Sequence, residues 1–341
     1  MVGKNIKYYR LMKNMSQAEL AQQIGLNKMT ISHYESNKRT PDYETSRKLA
    51  NSLGITLSML LSTQSDELAI EHGAFRKKAS VTKAQQDLIF GHEDRYLGRL
   101  FDVVSFLGET ALAPMPVINP EKAEDYEKAG QHLRQVLGLS ASGPIGNITD
   151  ILENNGFVIC PIDIIEKGFS GNSGFVNGRP FIAVNTRMPA ERQRFTLIHE
   201  LAHLYFIFDA DKNEERMVDG IAGAFLLPEV DIKRELGVQR KDIRSSLRIV
   251  QQEYNISMAA IVMRAYQTKI ITKPAYEITM KWMSAQGLRM NEQSGIEPEK
   301  THLLEQLTLR AVAEDEIGVS KAAEILERPL LEIRKLCYGG A

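Results

Sequence analysis

The sequence predicts an α+β protein that is mostly helical, and three observations support this class. The N-terminal segment is basic and reads as short amphipathic helices separated by capping residues and glycines. The middle of the chain contains a few short strand-like segments around an Asn-Gly pair. A histidine-bearing helical segment follows them, and the remainder is again helical. The 341 residues, 25% charged and 43% hydrophobic, suit a globular protein of two or three domains.

Composition also excludes several classes of protein. The longest apolar runs are well short of the roughly 18 residues that a membrane span needs. The N-terminal residues carry charge throughout and lack the apolar core of a secretory signal. The two cysteines, Cys160 and Cys337, cannot form a disulfide framework and fit a reducing compartment. We therefore expect a cytoplasmic protein with no membrane association.

The near-zero net charge hides an asymmetry. Residues 1–63 contain nine Lys/Arg and four Asp/Glu, a net charge of +5, so the remaining residues of this −1 chain carry −6. A small basic domain on an acidic body indicates that the N-terminal domain, 1–63, meets a polyanion.

Short helices with clear start and stop signals fill this domain. Ser16 and Glu19 form a capping box, and Gly25 ends the helix that they begin. Asn27 can cap the next helix, and either Thr40 or Asp42 can cap a fourth. Five helices are predicted, at 4–13, 17–24, 28–36, 43–53 and 56–61. Two short helices joined by a tight glycine turn make a helix-turn-helix.

The stretch MSQAELAQQIGLNKMTISHYESNKRTPDYETSRKLANSLGITLSMLL resembles the Xre/Cro-like DNA-binding domains. The resemblance implies that the second helix of the motif enters the major groove of an operator, with the protein acting as a homodimer on paired half-sites. It assigns base contacts to Lys28, Met29 and His33, and phosphate contacts to Gln17, Asn37 and Lys38. It makes Arg10 and Glu35 an interior ion pair. A helical module that binds only protein is the alternative.

Residues 64–140 are expected to be a linker and helical connection. Ser80 is expected to cap a helix at 82–109, and a further helix is predicted at 121–137. Mixed structure follows, with a helix at 145–155, a strand from Phe157 to Cys160 and a hairpin across Asn177-Gly178.

His199-Glu200-Leu201-Ala202-His203 lies on the next predicted helix. Positions i and i+4 share one helix face, so both imidazoles can meet one Zn²⁺ ion. Glu200 lies beside that face, where its carboxylate can take a proton from a water that attacks a carbonyl. The spacing predicts a zinc-dependent hydrolytic site with Glu200 as the catalytic base.

A catalytic zinc needs a third protein ligand. The acidic residues just downstream are all candidates: Asp209, Asp211, Glu214 and Glu215. Glu215 has the best case, because Asp219 stands one helical turn after it and can accept the proton of a ligand histidine. Glu214 would place Val218 in that supporting position, where it could not serve.

These residues resemble the ImmA/IrrE family of metallopeptidases, over roughly 75–272. The likeness rests on Arg194-Phe195-Thr196, the His199–His203 motif, Glu215 to Asp219, and Leu226-Leu227-Pro228. It implies a zincin-like (HExxH) metallopeptidase domain at 141–272, which hydrolyses a peptide bond in a regulatory protein, with a helix-turn-helix repressor as the expected substrate. Arg192, Arg194 and Tyr205 are candidates for stabilising the oxyanion of that reaction, and spacing does not choose between them.

A helical C-terminal extension is predicted at 273–341, with a polar loop at 281–298. Two helices near its end could mimic a second helix-turn-helix, but 301–341 carries a net charge of −2, which favours packing or dimerisation. Two rival functions stay open. One is a non-enzymatic, antitoxin-like or metal- or partner-sensing repressor with an inactive peptidase-like body, and the other is a protein-interaction scaffold.

Overall fold

The computed structural model describes most of the chain, namely residues 2–62, 68–72, 81–165, 168–208, 214–289, 292 and 294–339. Its described residues form seventeen α-helices and six short strands, which confirms the mostly helical α+β prediction. Among them, no helix combines the length and the apolar composition that crossing a bilayer requires.

The chain divides into two compact units. The first comprises Met1–Leu112, Val176–Gly178 and His302–Ala341, and the second comprises Ala113–Phe175 and Arg179–Thr301. The C-terminal extension therefore contributes to both units. The domain boundaries that we expect at 63, 140 and 272 stay predictions.

The first unit begins with the five predicted helices: α1 Val2–Met12, α2 Gln17–Ile24, α3 Lys28–Glu35, α4 Tyr43–Leu53 and α5 Leu57–Leu61. The apolar faces of these helices pack together in one cluster that includes Ile6, Leu20, Ile31 and Leu49, each fully buried. The helices end where local chemistry requires it. The Ser16 hydroxyl and the Glu19 carboxylate close the capping box, and Gly25 adopts the left-handed conformation at φ 71°.

The rest of this unit consists of β1 Ile70–His72, the long helix α6 Lys83–Leu107, a 3₁₀ turn at Glu109–Ala111, and three C-terminal helices, α15 Leu303–Ala313, α16 Val319–Leu326 and α17 Leu330–Tyr338. Thr82 caps α6, with Gln85 completing a capping box. The predicted cap, Ser80, lies outside the described residues. Asp42, of the two residues that could cap α4, is the one that does.

Helix α6 is docked against the first helix of the N-terminal domain. Lys7 Nζ lies 2.8 Å from Asp87 Oδ2, and the Tyr8 hydroxyl lies 3.2 Å from His92 Nδ1. The guanidinium of Arg95 lies over the ring of Tyr9, 4.9 Å from its centroid. Part of the positive charge of this domain is therefore neutralised by α6.

The second unit contains the remaining elements. Its helices are α7 Tyr126–Val136, α8 Ile148–Asn154, α9 Ala190–Tyr205, α10 Glu214–Leu226, α11 Glu229–Leu236, α12 Leu247–Tyr254, α13 Met258–Gln267 and α14 Lys273–Ala285. Its strands are β2 Glu121–Lys122, β3 Val158–Ile162, β4 Gly171–Val176, β5 Arg179–Asn185 and β6 Phe206–Ile207.

The strands of this unit position the histidine helix. β4, β5 and β3 lie side by side in that order, and β3 pairs with β5 in parallel, with Val158 opposite Phe181. The predicted turn residues Asn177 and Gly178 join β4 to β5 with φ values of 50° and 76°. A second, two-stranded ladder pairs β2 with β6 in parallel, directly after α9.

Several predicted boundaries are wrong. The segment predicted as a helix at 121–137 opens with β2, and the helix begins only after Asp125, which caps it. The helix predicted at 145–155 is shorter, Ile148–Asn154. The predicted loop at 281–298 overlaps α14, which continues to Ala285 because Met283 is fully buried in the core of this unit.

Candidate metal centre and DNA-binding face

Helix α9 presents an apolar face to the core and a polar face to the candidate site. Leu197, Ile198 and Leu201 are fully buried, as the apolar helical stripe predicts. His199 and His203 are each about one-eighth exposed, at 12% and 14%. The two imidazoles thus lie together at the edge of the core, where a ligand can reach them.

The two imidazoles face one another. His203 Nε2 lies 3.2 Å from His199 Nε2, as expected for positions i and i+4. Helix α10, which packs beside α9, adds Glu215. Its Oε2 lies 3.5 Å from His199 Nε2, and its Oε1 lies 3.8 Å from His203 Nε2. One ligand atom from each of these three residues falls within 4.8 Å of the others.

The second nitrogen of each imidazole meets a different carboxylate on α10. Asp219 Oδ1 lies 3.0 Å from His199 Nδ1, the contact that the Glu-x-x-x-Asp spacing predicts. Glu214 Oε1 lies 3.4 Å from His203 Nδ1. Sequence reasoning considered Glu214 only as a ligand and missed this supporting contact. Asp209 and Asp211, the other candidate ligands, lie outside the described residues.

The donor set fits zinc better than a hard cation such as Mg²⁺. Two imidazole nitrogens and one carboxylate form a known catalytic zinc set. Ligand atoms at about 2.0–2.1 Å from a tetrahedral zinc lie about 3.3–3.4 Å apart. The separations of 3.2 and 3.5 Å from His199 Nε2 to its two neighbours lie near that spacing, and the third, 3.8 Å from His203 Nε2 to Glu215 Oε1, is longer. The hydrogen bond between His199 Nδ1 and Asp219 Oδ1 fixes that ring in the orientation that a metal ligand needs, and Glu214 Oε1 lies within ion-pair distance of His203 Nδ1.

Glu200 is held from the strand side of the site. The Ser173 hydroxyl on β4 donates a hydrogen bond of 3.2 Å to Glu200 Oε2. Gly171 permits this approach, since a Cβ there would lie 2.5 Å from the Ala183 carbonyl oxygen and 2.6 Å from Thr196 Cγ2. Ser173 was not singled out by its sequence. Only the close approach of β4 to α9 shows its role.

The three residues considered for oxyanion stabilisation are placed differently. Arg194 is buried, and its guanidinium donates hydrogen bonds to the Glu299 carboxylate and to the carbonyl oxygens of Ile145 and Gly146. Tyr205 is buried in the core, and burial raises the pKa of its hydroxyl. Arg192 is exposed, with Nη2 at 3.4 Å from Ser170 Oγ. Arg194 and Tyr205 thus have structural surroundings, and their sequence proximity to the histidines does not bring them into the site.

The recognition helix α3 exposes most of the predicted base-contact residues. Lys28 is exposed and the Met29 side chain is 63% exposed, while His33 is half-buried. Lys38, a predicted phosphate contact, is also exposed. This face of the N-terminal domain is therefore available to a duplex.

Two predicted phosphate contacts also have structural contacts. Gln17 Nε2 donates to Glu35 Oε2 at 2.7 Å, and Asn37 Oδ1 accepts from the Gly3 backbone N–H at 3.1 Å. The predicted interior ion pair is confirmed, with Arg10 Nη2 donating to Glu35 Oε2 at 2.9 Å. The base and phosphate contacts themselves stay predictions.

A helix-turn-helix domain with an exposed recognition helix, in the same chain as a His-Glu-x-x-His helix backed by acidic residues, defines a transcription regulator with a metallopeptidase-like domain. The family described as Helix-turn-helix matches residues 6–60, and the IrrE N-terminal-like domain, Peptidase_M78, matches residues 159–266. The chain belongs to the Xre/Cro-like helix-turn-helix family and carries an ImmA/IrrE-like domain after it.

Two curated relatives share the N-terminal similarity. The uncharacterized HTH-type transcriptional regulator YqaE of Bacillus subtilis (strain 168) is 31% identical over 74 residues, 22% of this chain and 64% of the relative. The uncharacterized HTH-type transcriptional regulator MJ0272 of Methanocaldococcus jannaschii is 31% identical over 62 residues, 18% of this chain and 94% of the relative. The chain thus spans less than two thirds of the first relative and nearly all of the second.

Proposed function

We propose that this regulator binds operator DNA through its N-terminal domain and hydrolyses a peptide bond in a regulatory protein through a zinc-dependent endopeptidase site. A helix-turn-helix repressor is the expected substrate. The observation that carries the proposal is the convergence of His199, His203 and Glu215, with Glu200 held beside them. We place its action in the cytoplasm, where operator DNA lies and the free thiols of the chain stay reduced.

In the proposed site, some side chains bind the metal and others orient those ligands. His199, His203 and Glu215 hold the metal through Nε2, Nε2 and a carboxylate oxygen. Asp219 accepts the proton of His199 Nδ1, so that His199 Nε2 presents its lone pair, and the Glu214 carboxylate favours the same tautomer of His203 from 3.4 Å. Bound zinc supplies Lewis acidity toward the attacking water and the scissile carbonyl.

Glu200 moves the proton. Its carboxylate takes a proton from the attacking water and then delivers it to the leaving amine. Ser173, through its hydrogen bond to Oε2, keeps the carboxylate turned toward the site.

The DNA-binding half of the proposal rests on the exposed face of α3. Lys28, Met29 and His33 contact base edges in the major groove, and Lys38 contacts phosphate. Gln17 and Asn37 contact phosphate while keeping their interior hydrogen bonds. A homodimer presents two such helices to paired half-sites.

The first experiment counts metal, because it needs neither the substrate nor the activating signal. We expect about one zinc per chain in purified wild type and loss of that zinc in Glu215→Ala. Glu277→Ala is the matched control, because Glu277 is an exposed glutamate of the same unit. No zinc in wild type after incubation with excess metal would refute the proposal.

A second experiment tests hydrolysis without knowledge of the substrate. New protein N-termini are compared between cells that produce wild type and cells that produce Glu200→Gln. We expect peptides that appear only with wild type. Zinc binding without any Glu200-dependent cleavage, together with operator binding that responds to metal, would replace the endopeptidase by the metal-sensing repressor.

A further inference from the structure

A cavity of about 390 Å³ lies within the first unit. Its walls are the segment around α5, the middle of α6, and the end of α16. This volume lies within the range of roughly 300–1,000 Å³ typical of small-molecule sites. The cavity is separate from the candidate metal centre, whose residues belong to the second unit.

Positive charge is in excess at one wall of this cavity. Arg95 and Arg99, one turn apart on α6, share a single carboxylate. Glu327 Oε1 accepts from Arg95 Nε at 2.6 Å, and Glu327 Oε2 lies 2.9 Å from Arg99 Nη1. Among the described residues, neither guanidinium has a second carboxylate within ion-pair distance. The two guanidinium groups therefore carry one charge more than their partner neutralises.

The other charged lining residues do not supply the missing anion. Lys321 Nζ lies 3.4 Å from Glu324, and Arg328 Nη2 lies 3.0 Å from Glu305. Arg328 Nη1 also lies 3.6 Å from Glu332. Asp102 faces Lys321 and Glu324. Among the described residues, none of these carboxylates is within ion-pair distance of Arg95 or Arg99, which share Glu327.

Glu327 holds an unusual backbone conformation. It ends α16 in the left-handed region, at φ 53° and ψ 37°, where glycine is the favoured residue. Its side chain nevertheless reaches back to both arginines on α6. The carboxylate thus occupies the position that an external acid group would take.

We propose that this cavity binds a small organic anion, a carboxylate or a phosphate ester, whose acid group is held by Arg95 and Arg99 in competition with Glu327. Paired arginine forks match carboxylate and phosphate oxygens in geometry as well as charge. Thr56 and Ser58 also line the cavity. Arg95 also lies over the rings of Tyr8 and Tyr9 in α1, so the bound anion touches a residue that packs against the DNA-binding domain.

The test uses the full chain and two probes, inorganic phosphate and acetate, at matched ionic strength in calorimetric titrations. We expect saturable binding of one probe, which distinguishes a phosphate from a carboxylate ligand. Glu327→Gln removes the competing charge and keeps the side-chain size, so it should bind that probe at least about tenfold more tightly. Arg99→Gln should lose binding.

Two further variants complete the test. Arg99→Lys keeps the charge without the fork and should bind with intermediate affinity, which separates a lost ligand from a misfolded chain. Arg310→Gln, on the exposed face of α15, should behave as wild type. Equal affinity in wild type, Glu327→Gln and Arg99→Gln would overturn the proposal. So would the absence of saturable binding of both probes by Glu327→Gln.

Discussion

Removing the carboxylate of Glu299 should strongly destabilise the second unit. Arg194, on the histidine helix, is 3% exposed and forms a buried ion pair with Glu299, which is 7% exposed. Glu299 Oε2 also accepts the Thr149 backbone N–H at 3.0 Å. Glu299→Ala therefore leaves a buried guanidinium without its counter-charge and a buried N–H without its acceptor. Breaking one side of such a pair costs about 3–5 kcal/mol.

The assay is urea unfolding followed through the fluorescence of Trp282, the single tryptophan of the chain, which lies in the second unit. Glu299→Gln keeps the side-chain size but only one acceptor oxygen, and its amide N–H₂ faces the other donor, so it should still destabilise the unit by about 1–3 kcal/mol. Asp163→Ala removes the exposed partner of Arg187 in the same unit and should change the free energy of unfolding by less than about 0.5 kcal/mol. A loss below about 1 kcal/mol for Glu299→Ala would refute the reasoning.

Three other changes have defined outcomes. Ser173→Ala should lower kcat for peptide hydrolysis about tenfold and leave the zinc content unchanged. The reason is that Ser173 contacts Glu200 and no proposed metal ligand. An unchanged kcat would show that Ser173 has no part in the proposed mechanism. Burial lowers the pKa of His72, but hydrogen bonds from its ring to Asp94 and Glu93 outweigh burial and raise that pKa to about 9 from 6.5. The resulting stabilisation should be fully present below about pH 6.5 and lost as the pH rises through about 9, and His72→Gln should abolish this dependence in urea unfolding across that range. Lys28→Ala should weaken binding to DNA selected by the wild type by about 1–3 kcal/mol in fluorescence anisotropy, and equal affinity would argue against a base contact.

The sequence predicted what local rules determine. Ser16 with Glu19, Gly25 and Asn27 mark helix ends by their own hydrogen bonds and backbone preferences, so the first five helices were located almost to the residue. The histidine pair follows from helical spacing alone. The Glu215–Asp219 spacing predicted that Asp219 supports a ligand histidine, and Asp219 Oδ1 lies 3.0 Å from His199 Nδ1.

Contacts between elements distant in sequence could not be predicted. Ser173 precedes Glu200 by 27 positions, and nothing in its neighbourhood marks it until β4 is packed against α9. Glu214 was discounted because helical spacing gave it no support as a ligand, whereas the packing of α10 turns it toward the outer nitrogen of His203. Likewise, the net charge of −2 on residues 301–341 could not predict which part of the chain the C-terminal helices α15, α16 and α17 pack against.

Among the described residues, the five carboxylate and imidazole groups of the candidate metal site come from two adjacent helices. His199 and His203 are on α9, and Glu214, Glu215 and Asp219 are on α10. The geometry of the proposed metal site is therefore set by the packing of one helix pair rather than by the conformation of a loop. Substitutions and insertions in the connecting segments can then change which peptide the proposed site admits and leave the packing of this helix pair unaltered. The residues of the proposed metal site and the segments that would select a substrate can thus change independently of one another.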